Sequence, residues 1–489
     1  MNHLYNMRYK NFLLYALMSL GFAANAQELV ILHTNDTHSQ LDPTDKNRGG
    51  ILRRKALVDS VRAAQPNVLL IDAGDAVQGT LYFTLFEGEA ERKMMNNLGY
   101  DIQILGNHEF DNGTESLARQ WKDINAEKIA TNYDLSGTPL EGIFKPYTVK
   151  EYDGKKVGII AINLEPKGMI DDAKSVNVKY LDGIEAANAM AWYLKNILHT
   201  DKVVAVTHVG YKDSTPPTPS DVDIARASKD IDIIIGGHSH TEVKPEDPEN
   251  TPCRIPNANG DTVLVAQTGG RGENLGEITV NFDNNTTSYR LIPVDKRLDN
   301  RIDSEAAALL ASYRTQVDSL KKVKIGRMAQ ELPAGSTELL NWVADVMLTM
   351  GQKMVDEPID LAIVNKGGIR RGLPAGDITK ELIMTMLPFD NHLNVMEIKG
   401  SDLIEAFNVM EKRGGDGISK GFNWKETDPE HVYRLLTIDY LAHGGDYMES
   451  LKNGKITYVS PKRLDETVIE FLENSPKKPI KYTDNTPRM

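Results

Sequence analysis

The chain has 489 residues, more than one hydrophobic core usually organises, so we expect at least two domains. Hydrophobic residues make up 40% of the chain and charged residues 26%, which excludes a disordered or fibrous protein. The formal charge of −13 argues against binding of polymeric nucleic acid, although a few placed arginines or metal ions could still hold a small anion.

The first predicted element is a targeting segment at residues 1–26. Two basic residues precede an apolar run, and Ala24 and Ala26 occupy the small-residue positions of a cleavage site. This pattern predicts a signal peptide and an exported protein, periplasmic or secreted. A retained membrane anchor is the alternative, but the apolar run is shorter than a full span. The single cysteine, Cys253, leaves no intrachain disulfide.

Residues 27–302 alternate short apolar runs with amphipathic segments, which predicts a layered α/β domain. The predicted strands are the apolar runs in ELVILHT, NVLLIDAG, DIQILGNH, KVGIIAINL, DKVVAVTHVG and DIDIIIGGH. In such domains the functional side chains gather where strands end and loops begin.

A continuous helical pattern over residues 303–322 is predicted to link two domains, with Asp303 or Ser304 as its N-cap. Residues 323–489 mix helical stretches with transitions from strand to loop, as in NKGGIRRGLPAGDIT, so we expect a smaller α+β domain there. The final segment, PKKPIKYTDNTPRM, lacks periodicity and is predicted to be loosely ordered.

Five polar clusters follow apolar runs in the first domain. They are TNDTH, AGDAVQG, GNHEFD, VTHVG and GGHSH, and they supply Asp36, His38, Asp75, Asn107, His108, Asp111, His208, His238 and His240. Each cluster alone is a weak signal, because a single histidine or Asp-x-His pair at a strand end is usually structural. Together they would meet at one edge of one sheet, and their mixed nitrogen and oxygen donors suit Zn²⁺, Mn²⁺ or similar ions. Seven of these nine side chains would be enough ligands for two ions that share a carboxylate. Such a pair of ions can activate water for attack on phosphorus.

The order of these clusters resembles the calcineurin-like metallophosphoesterase superfamily over residues 29–241. The resemblance implies a four-layer αββα sandwich and two divalent metal ions, Zn, Mn, Co or Mg. It implies that one ion is held by Asp36, His38, Asp75 and His240, and the other by Asp75, Asn107, His208 and His238. It also implies a catalytic dyad, in which His108 stabilises charge on the phosphate and protonates the leaving oxygen while Asp111 orients it.

The second domain resembles the C-terminal substrate-binding domain of secreted bacterial 5′-nucleotidases and UDP-sugar hydrolases. The residues that carry the resemblance are NKGGIRRGLPAGDIT, MLPFDN and TIDYLAHGGDYM. The resemblance implies that Phe389 and Tyr440 sandwich a nucleobase and that Asp446 accepts hydrogen bonds from the ribose. Asn365 and Arg370 would contact phosphate or sugar.

Two features depart from the family pattern. Gly335 and Ser336 precede a helix where members often carry an arginine, so phosphate binding would depend more on Arg370, Arg371 or the metals. The segment 408–439 is shorter than usual, as if a strand pair were missing, which would open the base pocket.

The whole resemblance implies a metal-dependent phosphoric monoester hydrolase that converts nucleoside 5′-monophosphates to nucleoside and phosphate. The alternatives are a UDP-sugar hydrolase or a 2′,3′-cyclic nucleotide phosphodiesterase/3′-nucleotidase, which could use the same metals with other pocket contacts. A non-catalytic metal- or nucleotide-binding protein is a further alternative, but it would need neither His108 nor Asp111. No oligomeric state follows from these patterns.

Overall fold

The computed structural model describes residues 27–212, 214–476 and 478–489. The predicted signal peptide at 1–26 lies outside the described residues. Within the described ranges, no helix combines the length and the hydropathy that a membrane crossing requires. The chain forms two domains, and the first contains two six-stranded sheets.

The first domain contains strands β1 to β14. They are β1 Glu28–Thr34, β2 Val68–Asp72, β3 Ile102–Ile104, β4 Glu127–Ile129, β5 Tyr133–Asp134, β6 Tyr147–Tyr152, β7 Lys155–Asn163, β8 Lys179–Tyr180, β9 Lys202–His208, β10 Ile233–Ile235, β11 Arg254–Pro256, β12 Thr262–Ala266, β13 Asn274–Asn281 and β14 Thr286–Pro293. One sheet has the order β14-β13-β1-β2-β3-β4 and the other has the order β11-β12-β10-β9-β7-β6. Strands β1 to β4 are parallel, and so are β7, β9, β10 and β12.

The helices of the first domain cover the outer faces of the two sheets. They are α1 Ile51–Ala64, α2 Leu81–Phe86, α3 Glu89–Leu98, α4 Gly113–Trp121, α5 Gly183–Asn196 and α6 Asp221–Ala227. Alternation along β1 separates two cores: Leu29 and Ile31 pack in the core between the sheets, whereas Val30 and Leu32 pack in the core shared with α1 to α4. Helices α5 and α6 cover the second sheet. The result is four layers, αββα.

The expectation that the polar clusters meet at the edge of one sheet is wrong. The clusters with Asp36, Asp75 and His108 follow β1, β2 and β3 of one sheet, whereas His208 and His238 come from β9 and β10 of the other. An apolar run has the same pattern in either sheet of a sandwich, so periodicity alone does not indicate which strands pair. The carboxyl ends of both sets of parallel strands meet at one end of the sandwich.

The helix between the domains, α7, spans Ser304–Lys321, as the sequence pattern predicts. Asp303 is its N-cap, and the Asp303 carboxylate accepts a 2.7 Å hydrogen bond from the Ala306 N–H. The buried face of α7, which includes Leu310 and Tyr313, packs in the core of the first domain beside α2 and α3. The helix therefore lies along the first domain as a packed element.

The second domain has a five-stranded sheet in the order β19-β16-β20-β18-β21, and a separate pair of strands, β15 and β17. The strands are β15 Lys324–Met328, β16 Leu361–Val364, β17 Gly376–Thr379, β18 His392–Lys399, β19 Gly417–Ile418, β20 Val432–Ile438 and β21 Lys455–Arg463. The helices are α8 Thr337–Gly351, α9 Lys380–Met386, α10 Gly400–Lys412, α11 Asp439–Ala442 and α12 Leu464–Glu473. Within the short segment 408–439, the chain passes from α10 to β20 through the two-residue strand β19.

The C-terminal segment is better ordered than its sequence predicts. The Asn341 side chain on α8 donates 3.1 Å hydrogen bonds to the carbonyls of Asp484 and Thr486. Arg488 forms a 2.6 Å ion pair with Asp345 on the same helix. Polar side chains hold this segment, so the absence of an apolar period was a poor guide to its order.

Candidate active site

Three loops of the first sheet supply most of the predicted site residues. Asp36 and His38 follow β1, Asp75 follows β2, and Asn107 and His108 follow β3. All five side chains are buried. Since β1, β2 and β3 are adjacent and parallel, their carboxyl ends place these loops side by side.

Backbone hydrogen bonds hold the first two loops together. The N–H of Asp36 donates to the Gly74 carbonyl, and the N–H of His38 donates to the Asp75 carbonyl, both at 3.0 Å. Asp36, His38 and Asp75 have φ values of 50°, 47° and 53°, a left-handed conformation that non-glycine residues rarely adopt. A Cβ on Gly74 would lie 2.8 Å from the His208 ring, so glycine is required where the loops approach.

The second sheet contributes three histidines. His208 is the last residue of β9, and His238 and His240 follow β10 in the GGHSH loop, with φ values of 79° and 52°. The backbone N–H of His238 donates to the Asp36 carboxylate at 3.0 Å, which ties this loop to the first sheet. Ser239, between the two histidines, accepts a 3.0 Å hydrogen bond from the Tyr211 N–H and so faces away from the cluster.

The donor atoms form two overlapping groups. In one group, the Asp36 Oδ1 atom lies 3.4 Å from His240 Nε2 and 3.9 Å from His38 Nε2. In the other, the Asp75 Oδ2 atom lies 3.1 Å from His208 Nε2. A ring nitrogen of His238 lies within 4.8 Å of a donor atom of each of these two residues. Asp75 Oδ2 is also 4.0 Å from His38 Nε2, so the Asp75 carboxylate lies between the groups.

Asn107 completes the second group. Its Oδ1 atom lies 2.9 Å from His238 Nδ1. His240 groups with Asp36 and His38, whereas His238 groups with Asp75 and His208.

The chemistry of this cluster fits divalent metal ions. The His208 Nδ1–H donates to the Ala73 carbonyl at 2.8 Å, which leaves the buried Nε2 atom, 3.1 Å from Asp75 Oδ2, to bind a metal. Burial lowers the pKa of His208, but the Asp75 and Asp36 carboxylates outweigh this effect and raise the pKa to about 10. The Asp36 and Asp75 carboxylates therefore favour a positive charge at the point where the histidine nitrogens and carboxylate oxygens converge. Divalent cations would meet this demand with the imidazoles neutral, as metal ligands must be.

His108 and Asp111 form a hydrogen-bonded pair at the wall of the cavity. The His108 Nδ1 atom lies 3.1 Å from Asp111 Oδ2, and the His108 backbone N–H donates to Asp75 Oδ1 at 2.9 Å. Burial lowers the pKa of His108, but the Asp111 and Asp75 carboxylates together raise it by more. The net shift of the His108 pKa is therefore upward. The pair can therefore present an imidazolium donor to an anion.

The second domain brings an aromatic pair and a carboxylate to the same place. Asp446, with φ of 55°, accepts hydrogen bonds from Asn365 Nδ2 at 2.8 Å and from the Tyr440 hydroxyl at 3.1 Å. Arg413 forms a 2.9 Å ion pair with Asp446 Oδ2. These contacts fix the carboxylate beside the Tyr440 ring.

One cavity of about 280 Å³ joins the two sets of residues. It is lined by Asp75, Asn107, His108, Asp111, His238 and His240 of the first domain and by Asn365, Arg370, Phe389, Tyr440 and Asp446 of the second. The Phe389 ring lies 5.8 Å from the His108 ring, and the Arg370 guanidinium lies 5.9 Å from the Phe389 ring. Asp36, His38 and His208 are buried beneath this cavity.

Glu109 is a site residue that the sequence analysis did not single out. Its buried carboxylate accepts backbone hydrogen bonds from Gly106 at 2.6 Å, Asp75 at 3.0 Å and Ala76 at 2.9 Å. Burial and the nearby Asp75 carboxylate raise the pKa of Glu109 to about 7. Glu109 thus joins the loops after β2 and β3, and its signal was its position directly after His108 in GNHEFD.

Asn35 and Arg413 are two further residues with positioning contacts. Asn35 Nδ2 donates to Asp36 Oδ2 at 2.6 Å, and its Oδ1 accepts from the Thr268 N–H at 2.8 Å. Arg413 holds Asp446, as described above. Both positions look like ordinary loop or helix-end residues in the sequence, because their roles depend on partners far away along the chain.

Family comparisons match both halves of this site. The model of the calcineurin-like phosphoesterase family matches residues 29–242, and that of the 5′-nucleotidase C-terminal domain matches residues 315–422. The chain is a calcineurin-like phosphoesterase with a 5′-nucleotidase C-terminal domain. Its resemblance to this family, stated above from the motifs, is confirmed.

Relatives of this phosphoesterase share both domains. The 5′-nucleotidase of Rattus norvegicus is 28% identical, with 94% of this chain and 90% of the relative covered. The 5′-nucleotidase of Mus musculus is 29% identical with the same coverage. The crystal structure of a 5′-nucleotidase precursor from Thermus thermophilus has a TM-score of 0.79 and 28% identity, covering 93% of this chain and 98% of that one. The predicted sandwich with a second α+β domain is confirmed.

Proposed function

We propose that this phosphoesterase hydrolyses nucleoside 5′-monophosphates to nucleoside and phosphate. The observation that carries the proposal is the cavity of about 280 Å³ in which the carboxylate–histidine cluster and the Phe389–Tyr440 pair meet. The carboxylate–histidine cluster is suited to phosphate chemistry, and the aromatic pair is suited to binding a nucleoside. The names and coverage of the relatives support the same substrate class.

The proposed metal centre contains two divalent cations, from among Zn, Mn, Co and Mg. One is held by Asp36, His38, Asp75 and His240, and the other by Asp75, Asn107, His208 and His238. When bound, such ions polarise phosphate oxygens and lower the pKa of a water molecule. Glu109 and Asn35 keep the ligand loops in place through the hydrogen bonds described above.

His108 is the proposed acid. Asp111 holds its Nδ1–H, so the other ring nitrogen is available to donate to a phosphate oxygen and then to the leaving 5′ oxygen. The raised pKa of His108, caused by Asp111 and Asp75 against the effect of burial, favours the protonated form that this role requires.

The proposed nucleoside slot stacks the base between Phe389 and Tyr440. Asp446 Oδ2 already accepts from Asn365 and Arg413, whereas Oδ1 accepts only from the Tyr440 hydroxyl in the described structure. Oδ1 is therefore the atom proposed to accept from the ribose. Arg370, which lies at the cavity wall without a carboxylate partner in the described residues, would bind the phosphate.

The proposal includes the domain boundaries and the export signal predicted from the sequence. Residues 27–302 and 323–489 would act as separate domains connected by 303–322, with the cleft between them closing around substrate. Residues 1–26 would direct export to the periplasm or the exterior, without a stable membrane anchor.

Turnover by the metal-loaded protein tests the proposal, with AMP, UDP-glucose and 2′,3′-cyclic AMP as competing substrates. We expect phosphate release from AMP to be fastest. His108→Ala should lower kcat for AMP by roughly 10²- to 10⁴-fold, because it removes general acid catalysis, with metal content retained. His431→Ala, on the exposed surface of the second domain, is the matched control. Absence of phosphate from AMP, or unchanged turnover in His108→Ala, would contradict the proposal.

A further inference from the structure

A second and larger cavity adjoins the proposed nucleotide slot. Its volume is about 750 Å³, and His240, Gly367 and Arg370 line both cavities. The larger cavity lies between loops of the first domain that follow β1 and β2 and the glycine-rich loop that follows β16 of the second domain. Phe389 and Tyr440 line only the smaller cavity, so the larger one is not the base-binding space.

Three cationic side chains on the lining of this second cavity have no carboxylate partner among the described residues. Among the residues that the structure describes, Arg271, Lys366 and Arg370 make no ion pair with a carboxylate within 4.0 Å. The carboxylates on the lining have other cationic partners: Asp42 pairs with Arg314 and Lys321, while Asp45 and Glu381 pair with Arg371. Arg271, Lys366 and Arg370 are therefore the cations of this lining that are left to attract an anion.

Arg271 is fixed in this position by the metal-binding loops. Its backbone N–H donates to the Asp36 carbonyl at 2.6 Å, and its φ is 58°. A Cβ on the preceding Gly270 would lie 3.2 Å from the His240 ring, so the loop runs directly against a proposed ligand. The Arg271 side chain itself is exposed and makes no hydrogen bond within the described ranges.

Arg271 and Arg370 bring like charges together from different domains. Arg271 lies on the loop that follows β12 and Arg370 on the glycine-rich loop that follows β16, and both line the larger cavity. Gly335 adds space rather than charge, since a Cβ there would have Lys366 as its only neighbour, at 3.5 Å. A bound anion would relieve the repulsion between the two guanidinium groups.

We propose that Arg271 and Lys366 form a second phosphate-binding site beside the metal cluster and beside Arg370, which lines both cavities and separates this site from the first phosphate. Its ligand is a phosphate group other than the one held by the metals: the terminal phosphate of a nucleoside diphosphate whose base occupies the Phe389–Tyr440 slot, or a free inorganic phosphate ion. Guanidinium groups offer paired donors that match phosphate oxygens. The site rests on the proposed function, because that function places the nucleoside and its first phosphate.

Calorimetry on the metal-loaded His108→Ala protein tests the site while slowing hydrolysis. AMP and ADP are titrated separately, and inorganic phosphate is titrated with AMP at saturation. We expect ADP to bind about tenfold more tightly than AMP, the gain of one charge-assisted contact of about 1.4 kcal/mol. Arg271→Gln in the same background should remove most of this advantage, and Arg271→Lys should retain part of it. Arg226→Gln, an exposed arginine on α6, is the control and should leave the ratio unchanged.

The two sources of phosphate give different results. An ADP advantage that depends on Arg271 assigns the site to a terminal phosphate. Binding of inorganic phosphate alongside AMP, lost in Arg271→Gln, assigns it to the free ion. Equal binding of ADP and AMP without phosphate binding, or either effect surviving Arg271→Gln, overturns the site. Failure of AMP to bind at all, together with no AMP turnover by the wild-type protein, would instead be a failure of the proposed function.

Discussion

The proposed metal cluster and the proposed nucleotide slot are built in different ways. The metal cluster belongs to one domain: Asp36, Asp75 and His208 are buried at strand ends, and backbone hydrogen bonds join their loops. The slot depends on both domains, with Tyr440 and Asp446 on the second. In the proposed function, the chemical centre would be preorganised within one domain, while substrate specificity would depend on how the two domains meet.

Contacts across the domain boundary support this distinction. The N–H of Asp446 donates to the carbonyl of Gly168 in the first domain at 2.9 Å, and the Tyr440 hydroxyl oxygen lies 3.3 Å from the same carbonyl. Nearby, Lys452 forms a 2.6 Å ion pair with Asp172. The loop after β7 therefore helps to position the nucleotide slot, although it supplies none of the proposed metal ligands.

Asp75→Asn should have the largest effect, because Asp75 lies between both groups of donors. We expect kcat/KM for AMP to fall by about 10³-fold or more, since several kcal/mol of charge stabilisation are lost with the metals. Bound metal per protein, measured by elemental analysis, should fall in parallel. Asp59→Asn, on the exposed face of α1, is the control. Full metal content with full turnover would show that Asp75 is not a shared metal ligand.

The two GGHSH histidines should differ from each other. His238→Ala should abolish most turnover, because the half-buried His238 ring lies against Asn107 and belongs to the donor group of Asp75. His240→Asn should retain some activity and change the order of activation by Zn²⁺, Mn²⁺, Co²⁺ and Mg²⁺, since an amide oxygen binds transition metals less strongly than imidazole. Activity measured against a series of metals checks both. Identical metal preference in His240→Asn and the wild type would count against separate roles.

Phe389→Leu should affect substrate binding with little effect on the metals. We expect KM for AMP to rise roughly 5- to 150-fold, because a stacked base contributes about 1–3 kcal/mol. Bound metal should remain at the wild-type level, which separates this variant from Asp75→Asn. Tyr440→Phe is a finer control, since it keeps the ring and removes only the hydroxyl that contacts Asp446. Loss of metal in Phe389→Leu would show that the two halves of the site are not independent.

The metal cluster was more predictable than its surroundings. Strand-end motifs indicated Asp36, Asp75, His208 and their neighbours, since each motif has a local pattern. That these strands belong to two sheets could not be read from apolar runs. Glu109 was missed although it lies inside a motif, because its three backbone donors become visible only when the loops meet.

The second domain shows the same limit more strongly. The sequence indicated Phe389, Tyr440 and Asp446 through family resemblance rather than through any local period. The contact of Arg413 with Asp446 and the exposure of Arg271 to the second cavity depend on residues distant in the chain. Such contacts follow from tertiary packing, which local propensity does not encode.

The smallest expected effect concerns an ion pair between the domains, His443 with Asp171, whose Nδ1 and Oδ2 atoms are 3.3 Å apart. The hydrogen bond to Asp171 raises the pKa of His443 against a smaller opposing effect of burial. A raised pKa in the folded state stabilises the protein fully below the unfolded value of about 6.5, and this stabilisation is lost as the pH rises through the folded value. His443 is 40% exposed, so solvent screening limits the contribution to roughly 0.2–1 kcal/mol.

Thermal unfolding should therefore give a lower Tm for His443→Gln than for the wild type at about pH 6, and a smaller difference at about pH 9. Asp171→Asn should reproduce this pattern, and a Tm difference that is equal at both pH values would show that the domains are held together here by packing rather than by charge.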